Sequence, residues 1–382
     1  MVRTIPGWRY TAILLTATTL AGFALVAPAD AADSRTKGLV LSLYQHAAYD
    51  GDLAVDCPSG LNLAGHEYYA STRPAAEQEK FKTPDGKKAL QAIIWNGAKG
   101  LYDRTTPNAC NTPADYMKDG YLDPNYKLIQ GKVALGMNLD GTQDGKGAPN
   151  ICAHEKFTSP AGEKVDNQWW RVMGCIKFYR PDSDIQKYNS STIKAGEMTI
   201  AMEISNLDDE KNDDDVTVGF YSSSDPAATD GSGNVVSGGS VLVHDNPRFH
   251  AVTHGRIKDG VLTTDPVDVH FQNKVLIVDT EWWLRDARVR LDLNTDAEGT
   301  AKGMIGGYFD VETAYSYIRQ STVSVSILGG YTCPSMYKAF YDMADGFPDP
   351  KTGKCTAIST AYQIEAKPGF VIHPRVRQAE AR

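Results

Sequence analysis

Residues 287–293 read ARVRLDL, with Ala287, Val289, Leu291 and Leu293 alternating strictly with Arg288, Arg290 and Asp292. Successive side chains of an extended chain point to opposite faces, so a period of two predicts a strand with one buried and one wet face. The same period recurs upstream. Met198, Ile200, Met202 and Ile204 alternate with Thr199, Ala201 and Glu203, and Val216, Val218 and Phe220 repeat the pattern. Val267, Val269 and Phe271 alternate with Asp268, His270 and Gln272. Turn-forming stretches such as DGSGNVVSGGS, KDG and NTDAEG separate these runs. Strand–turn units at such intervals predict a mainly β fold, an antiparallel β-sandwich or barrel-like core spanning about residues 195–310.

The flanks have a different texture. Residues 32–194 read as an irregular, mixed α/β region, with two helical patterns split by Pro84-Asp85-Gly86 and a capped helix start at Thr112-Pro113. VDNQWWRVMGCIKF reads as a short buried helix capped near Asp166, with a strand as the alternative. Residues 311–382 hold two helical patterns, the β-like TVSVSILGG between them, and a closing strand in AYQIEAKPGFVIHP. This C-terminal part is expected to pack on the sandwich.

The first residues carry Arg3 and Arg9, an apolar run over residues 12–26, and Ala29-Asp30-Ala31. That layout predicts a signal peptide over residues 1–31, cleaved near Ala31, and a secreted or periplasmic protein. No later stretch approaches the ~20 apolar residues of a membrane-spanning helix. The net charge of −8 carries no basic stripe, which argues against a nucleic-acid partner. The six cysteines predict disulfides in an exported chain. Their grouping favours sequential pairing: Cys57–Cys110, Cys152–Cys175 and Cys333–Cys355. None has C-x-x-C spacing, which disfavours a redox motif or a zinc ribbon.

Residues 137–157, MNLDGTQDGKGAPNICAHEKF, concentrate chemistry-bearing side chains. Asp140-x-Thr142-x-Asp144-Gly145 resembles the start of a calcium loop, in which alternate side-chain oxygens converge on one ion. An EF-hand needs glutamate at the twelfth position, but Ile151 stands there. An irregular Ca2+ site using Asn138, Asp140, Thr142, Asp144 and Glu155 is the remaining expectation. A second acidic run, NLDDEKNDDDV, offers Asp213 and Asp215 for another cation or simply forms a solvated turn. His154-Glu155 lacks the second histidine of H-E-x-x-H, and Cys152 is expected in a disulfide. His250 and His254 lie about 13 Å apart if extended, too far to share an ion.

Two tryptophan pairs, Trp169-Trp170 and Trp282-Trp283, offer indole faces for stacking on sugar rings. On strands one member of each pair is expected in the core. Asp279 and Glu281, ~6.6 Å apart along one strand face, are the weak catalytic candidates for glycoside cleavage, with Arg285 and Arg288 offering a plain ion-pair explanation. No nucleophile elbow, phosphate loop or dinucleotide fingerprint occurs. The functional expectation is an exported binding protein, calcium-braced, for a glycan or cell-surface component. An extracellular polysaccharide hydrolase or lyase and a structural or assembly protein of the cell envelope are the alternatives.

Overall fold

The computed structural model describes residues 35–62, 70–71, 73–99, 111–116, 126–181, 183, 191–275, 278–297, 299–316 and 333–374. The expected signal peptide and the stretch TVSVSILGG fall outside these residues. Within the described chain no helix is long and apolar enough to cross a membrane.

The fold is mainly β, and its centre is a closed antiparallel barrel. Eight strands form the ring: β1 (Arg35–His46), β4 (Ile200–Leu207), β5 (Asp213–Ser222), β7 (His250–Lys258), β8 (Val261–Thr264), β10 (Val278–Asp292), β11 (Ala301–Asp310) and β13 (Cys355–Ile372). Pairing of β1 with β13, Leu39 opposite Pro368 through His46 opposite Tyr362, closes it. Short strands decorate the ring. These are β2 (Phe157–Thr158) with β3 (Lys164–Val165), β6 (Gly239–Leu242) beside the end of β13, β9 (Val267–Val275) on β10, and β12 (Gly346–Pro348) on the start of β13. Closure removes the open edges that an eight-stranded sheet would otherwise expose. The barrel draws strands from all three segments of the sequence, because β1 and β13 lie on either side of the period-two region.

The alternation decides which side chains go in. Ala287, Val289, Leu291 and Leu293 are buried, whereas Arg290 and Asp292 are exposed. Tyr44 of β1 stacks on Tyr362 of β13 at 4.5 Å, and Trp282 of β10 meets both rings. The QWWRVM segment is helical (Gln168–Met173), capped by the Asn167 side chain, and all six residues are buried. A helical twist of about 100° per residue therefore sends Trp169 and Trp170 into different cores. Trp169 stacks on His46, Phe309 and Phe340, while Trp170 joins a small cluster with Ile129, Phe157 and Val165.

His46 sits within this aromatic core, and neither of its ring nitrogens has a hydrogen-bond partner. Burial lowers its pKa from 6.5 to about 3. Between those values the unfolded chain binds a proton that the folded chain refuses. The contribution is therefore complete above about pH 6.5 and falls by about 1.4 kcal/mol per unit as the pH drops towards 3. Urea unfolding at pH 7 and pH 5 is expected to show the wild type losing about 2 kcal/mol more than His46→Leu. Equal losses would mean that His46 is charged or solvated in the fold.

The disulfides correct the sequential pairing. Cys57 is bonded to Cys175 and Cys152 to Cys355. Sequential pairing presumes local loops, but the sheet brings distant segments together. Ile151 bridges Gly346, and Cys152 N–H donates to the Asp345 carbonyl at 2.8 Å, so residues 148–152 run beside β12. Cys110 and the side chain of Cys333 fall outside the described residues.

Candidate functional site

Among the described residues two places gather chemistry: a buried ionic cluster beneath the 137–157 loop and a cleft on the barrel flank.

The cluster is organised by Asp166, which is fully buried just before the Gln168–Met173 helix. Its carboxylate accepts Leu139 N–H at 2.7 Å, the His154 Nε2 edge at 2.7 Å and Lys156 Nζ at 2.9 Å. Lys156 Nζ also reaches Asp140 Oδ1 at 2.5 Å and Asn138 Oδ1 at 2.8 Å. The Lys156 ammonium therefore lies among the oxygens of Asn138 and Asp140 that were expected around Ca2+. Thr142 donates its N–H and its hydroxyl to Asp140, each at 2.8 Å. Asp144 and Glu155 do not join them. Asp144 pairs with Lys146 at 2.8 Å on the surface, and Glu155 pairs with Lys132 at 2.5 Å. Gly145 holds a positive φ of 68° with the His154 carbonyl packed against it, so a side chain there would collide with the returning strand.

Asp345, missed in the sequence, completes the cluster. It is fully buried, its Oδ1 accepts Ser359 N–H at 2.7 Å, and its Oδ2 lies 3.7 Å from His154 Nε2. Burial raises the Asp345 pKa to about 6, against the pull of His154. Burial alone would lower His154, but the Asp166 hydrogen bond and the Asp345 charge prevail and raise it to about 9. Asp166 has the opposite balance: burial pushes it up, and the hydrogen bonds from His154 and Lys156 bring it below the usual range.

The other acidic run behaves as a turn. Asp213 accepts the N–H groups of Asp208 and Asp215 at 2.8 and 3.2 Å, and Asp215 pairs with His254 at 2.7 Å. His244, His250 and His254 do not converge, since the His250 ring bonds the His244 carbonyl and His254 faces Asp215.

Burial withdraws Trp169, Trp170 and Trp282 as ligand-stacking residues. Trp283 is half-buried and stacks on His270 at 5.3 Å.

The cleft, of about 890 Å³, lies between the Pro113–Tyr116 helix, β9, β10, the turn of helix at 311–316 and the Cys333–Asp342 helix. Phe249, Tyr315 and Tyr337 supply rings; Gln272, Thr280, Thr313 and Asp115 supply polar groups. Glu281 and Glu312 both line it. Arg248 grips Glu281 with two contacts of 2.8 Å, and His270 Nδ1 closes on the same carboxylate. Burial raises the Glu281 pKa, but Arg248 and His270 more than reverse that, so this carboxylate is held ionised. Glu312 accepts the hydroxyls of Tyr337 and Tyr341, each at 2.6 Å. Burial and the bond to Glu312 push the Tyr337 hydroxyl up to about 12. The side chain of Asp279 lies outside the described residues. Glu312 was read only as part of a helix, and it does lie in the helical turn that follows β11, which brings it to the cleft of Glu281.

No known protein family, curated protein or solved structure matches this chain.

Proposed function

We propose that this is an exported binding protein whose flank cleft takes a glycan. The observation that carries the reading is the cleft itself, which combines the rings of Phe249, Tyr315 and Tyr337 with amide, hydroxyl and carboxylate groups. Sugars present an apolar ring face edged with hydroxyls, and such a lining matches both. The volume of about 890 Å³ suits a short oligosaccharide rather than a single ring. Export rests on the N-terminal charge and hydropathy pattern, and the two disulfides accord with an oxidising compartment.

Calorimetric titration with a panel of soluble cell-wall and extracellular oligosaccharides tests the reading. At least one is expected to bind, with affinity falling about tenfold or more in Phe249→Ala or Tyr337→Ala while the melting temperature is held. A panel without binders, or unchanged affinity in both variants, would remove it.

A hydrolase is the second reading, favoured by Glu281 and Glu312 lining one cleft. The grip of Arg248 and His270 weighs against Glu281 as the proton donor and suits it to the anionic role, with Glu312 as the second carboxylate of the cleft. Reducing ends released on incubation, and abolished in Glu312→Gln, would replace binding by cleavage.

A further inference from the structure

We propose that the buried cluster beneath the 137–157 loop is a site for a divalent first-row transition metal of the zinc type, held by His154, Asp166 and Asp345.

The tautomer of His154 is the starting point. Its Nδ1 lies 2.9 Å from the Cys152 carbonyl, which can only accept, so Nδ1 carries a hydrogen. That anchoring of the far ring nitrogen to a backbone carbonyl is the arrangement found behind metal-bound imidazoles. Nε2 then faces Asp166 Oδ1, 2.7 Å away, and Asp345 Oδ2, 3.7 Å away, and an entering ion takes the place of the Nε2 proton. Donors around a tetrahedral zinc stand roughly 3.3 Å apart, and the two separations bracket that value.

Two independent observations say that something is wanted between these groups. Asp345 Oδ2 is buried without a hydrogen-bond partner, and so is the hydroxyl of Tyr308, which senses the charges of Asp345, Asp166 and Asp140. Buried polar groups left unsatisfied are costly. Charge counting agrees. Once the His154 proton is displaced, Asp140, Asp166 and Asp345 face a single ammonium, Lys156, and the excess of two negative charges is what one divalent cation neutralises.

The donor set selects the ion. One imidazole and a few carboxylate oxygens suit a four-coordinate borderline cation, whereas Ca2+ seeks six to eight oxygens. Asp140 offers an oxygen within 4.8 Å of the Asp166 and His154 donors and can supply the fourth position, sharing its carboxylate with the Lys156 ammonium that serves as counter-charge. The supporting contacts are already in place: Ser359 N–H holds Asp345, and Leu139 N–H holds Asp166. A surface recess of about 320 Å³ that reaches His154 gives the ion an entry path. The Cys152 sulfur takes no part, since it is bonded to Cys355.

The test uses the full mature chain, stripped with chelator and dialysed. Titration with ZnCl2 is expected to show one high-affinity equivalent and a raised melting temperature, with MnCl2 weaker and CaCl2 silent. His154→Gln is expected to weaken zinc binding about 100-fold or more, whereas His250→Gln with His254→Gln leaves it unchanged. Should His154→Gln fail to fold, Co2+ loaded into the wild type decides: visible d–d bands of a four-coordinate ion, with one imidazole nitrogen seen by pulsed EPR, sustain the proposal. It is overturned if zinc neither binds stoichiometrically nor shifts the melting temperature, if folded His154→Gln binds as tightly as wild type, if Ca2+ alone stabilises the chain, or if the Co2+ spectrum shows no nitrogen donor.

Discussion

Asp166→Ala is expected to lower the free energy of unfolding by about 3–5 kcal/mol, measured by urea titration in chelator so that only the protein's own charges count. The size follows from what the substitution strands. Lys156 and His154 each lose a buried anionic partner, and Leu139 N–H loses its acceptor. Lys156 has nowhere wet to go, because its side chain is almost entirely enclosed. Lys156→Met should cost a similar amount by leaving Asp140 and Asp166 to repel each other. The double variant should cost clearly less than the two single losses added, since each single change creates the unpaired charge that the other removes. A loss below about 1 kcal/mol in Asp166→Ala would show that water reaches the cluster and screens it.

The second large effect concerns the Cys152–Cys355 bridge, which closes a loop of 203 residues. Chain-entropy reasoning puts the stabilisation from such a loop at about 5 kcal/mol, and native bridges commonly deliver 2–5 kcal/mol. Cys152→Ala with Cys355→Ala is expected to fall in that range. Its effect should also be local, because the bridge ties the metal-candidate loop to the β12–β13 hairpin that carries Asp345. Hydrogen exchange should therefore quicken at residues 137–156 while β4, β5 and β7 keep their protection. Uniform acceleration across the barrel would mean that the loop is held by packing rather than by the bridge.

Much of the β character was legible because alternation is a local signal, and ARVRLDL folds as its period demands. Ring closure was not legible: β1 and β13 are separated by some three hundred residues of sequence, and no local pattern encodes who pairs with whom. The same non-locality misled the disulfide pairing. The short buried helix around Trp169-Trp170 was legible from its cap, but the stacking role given to one indole of the pair presumed a strand; on the helix both indoles are core. Asp140 was visible as a chemically interesting residue, but Lys156, Asp166 and Asp345 were not. Each is an ordinary charged residue in sequence and becomes informative only when burial brings it to the others. Glu281 was noticed through its strand neighbours. Glu312 was overlooked because its partners, Tyr337 and Tyr341, come from a helix further along the chain.

The seam between β1 and β13 has a consequence for how the chain reaches its final state. During synthesis β1 emerges early, yet one of its two edges has no partner until β13 appears at the far end. The barrel wall therefore cannot be completed until β13 has been made, and the last step joins the most distant strands. Such late, non-local zippering is slow. It leaves a long interval in which the sheet is open along the β1 edge, so the commitment to structure comes with the last pairing rather than the first.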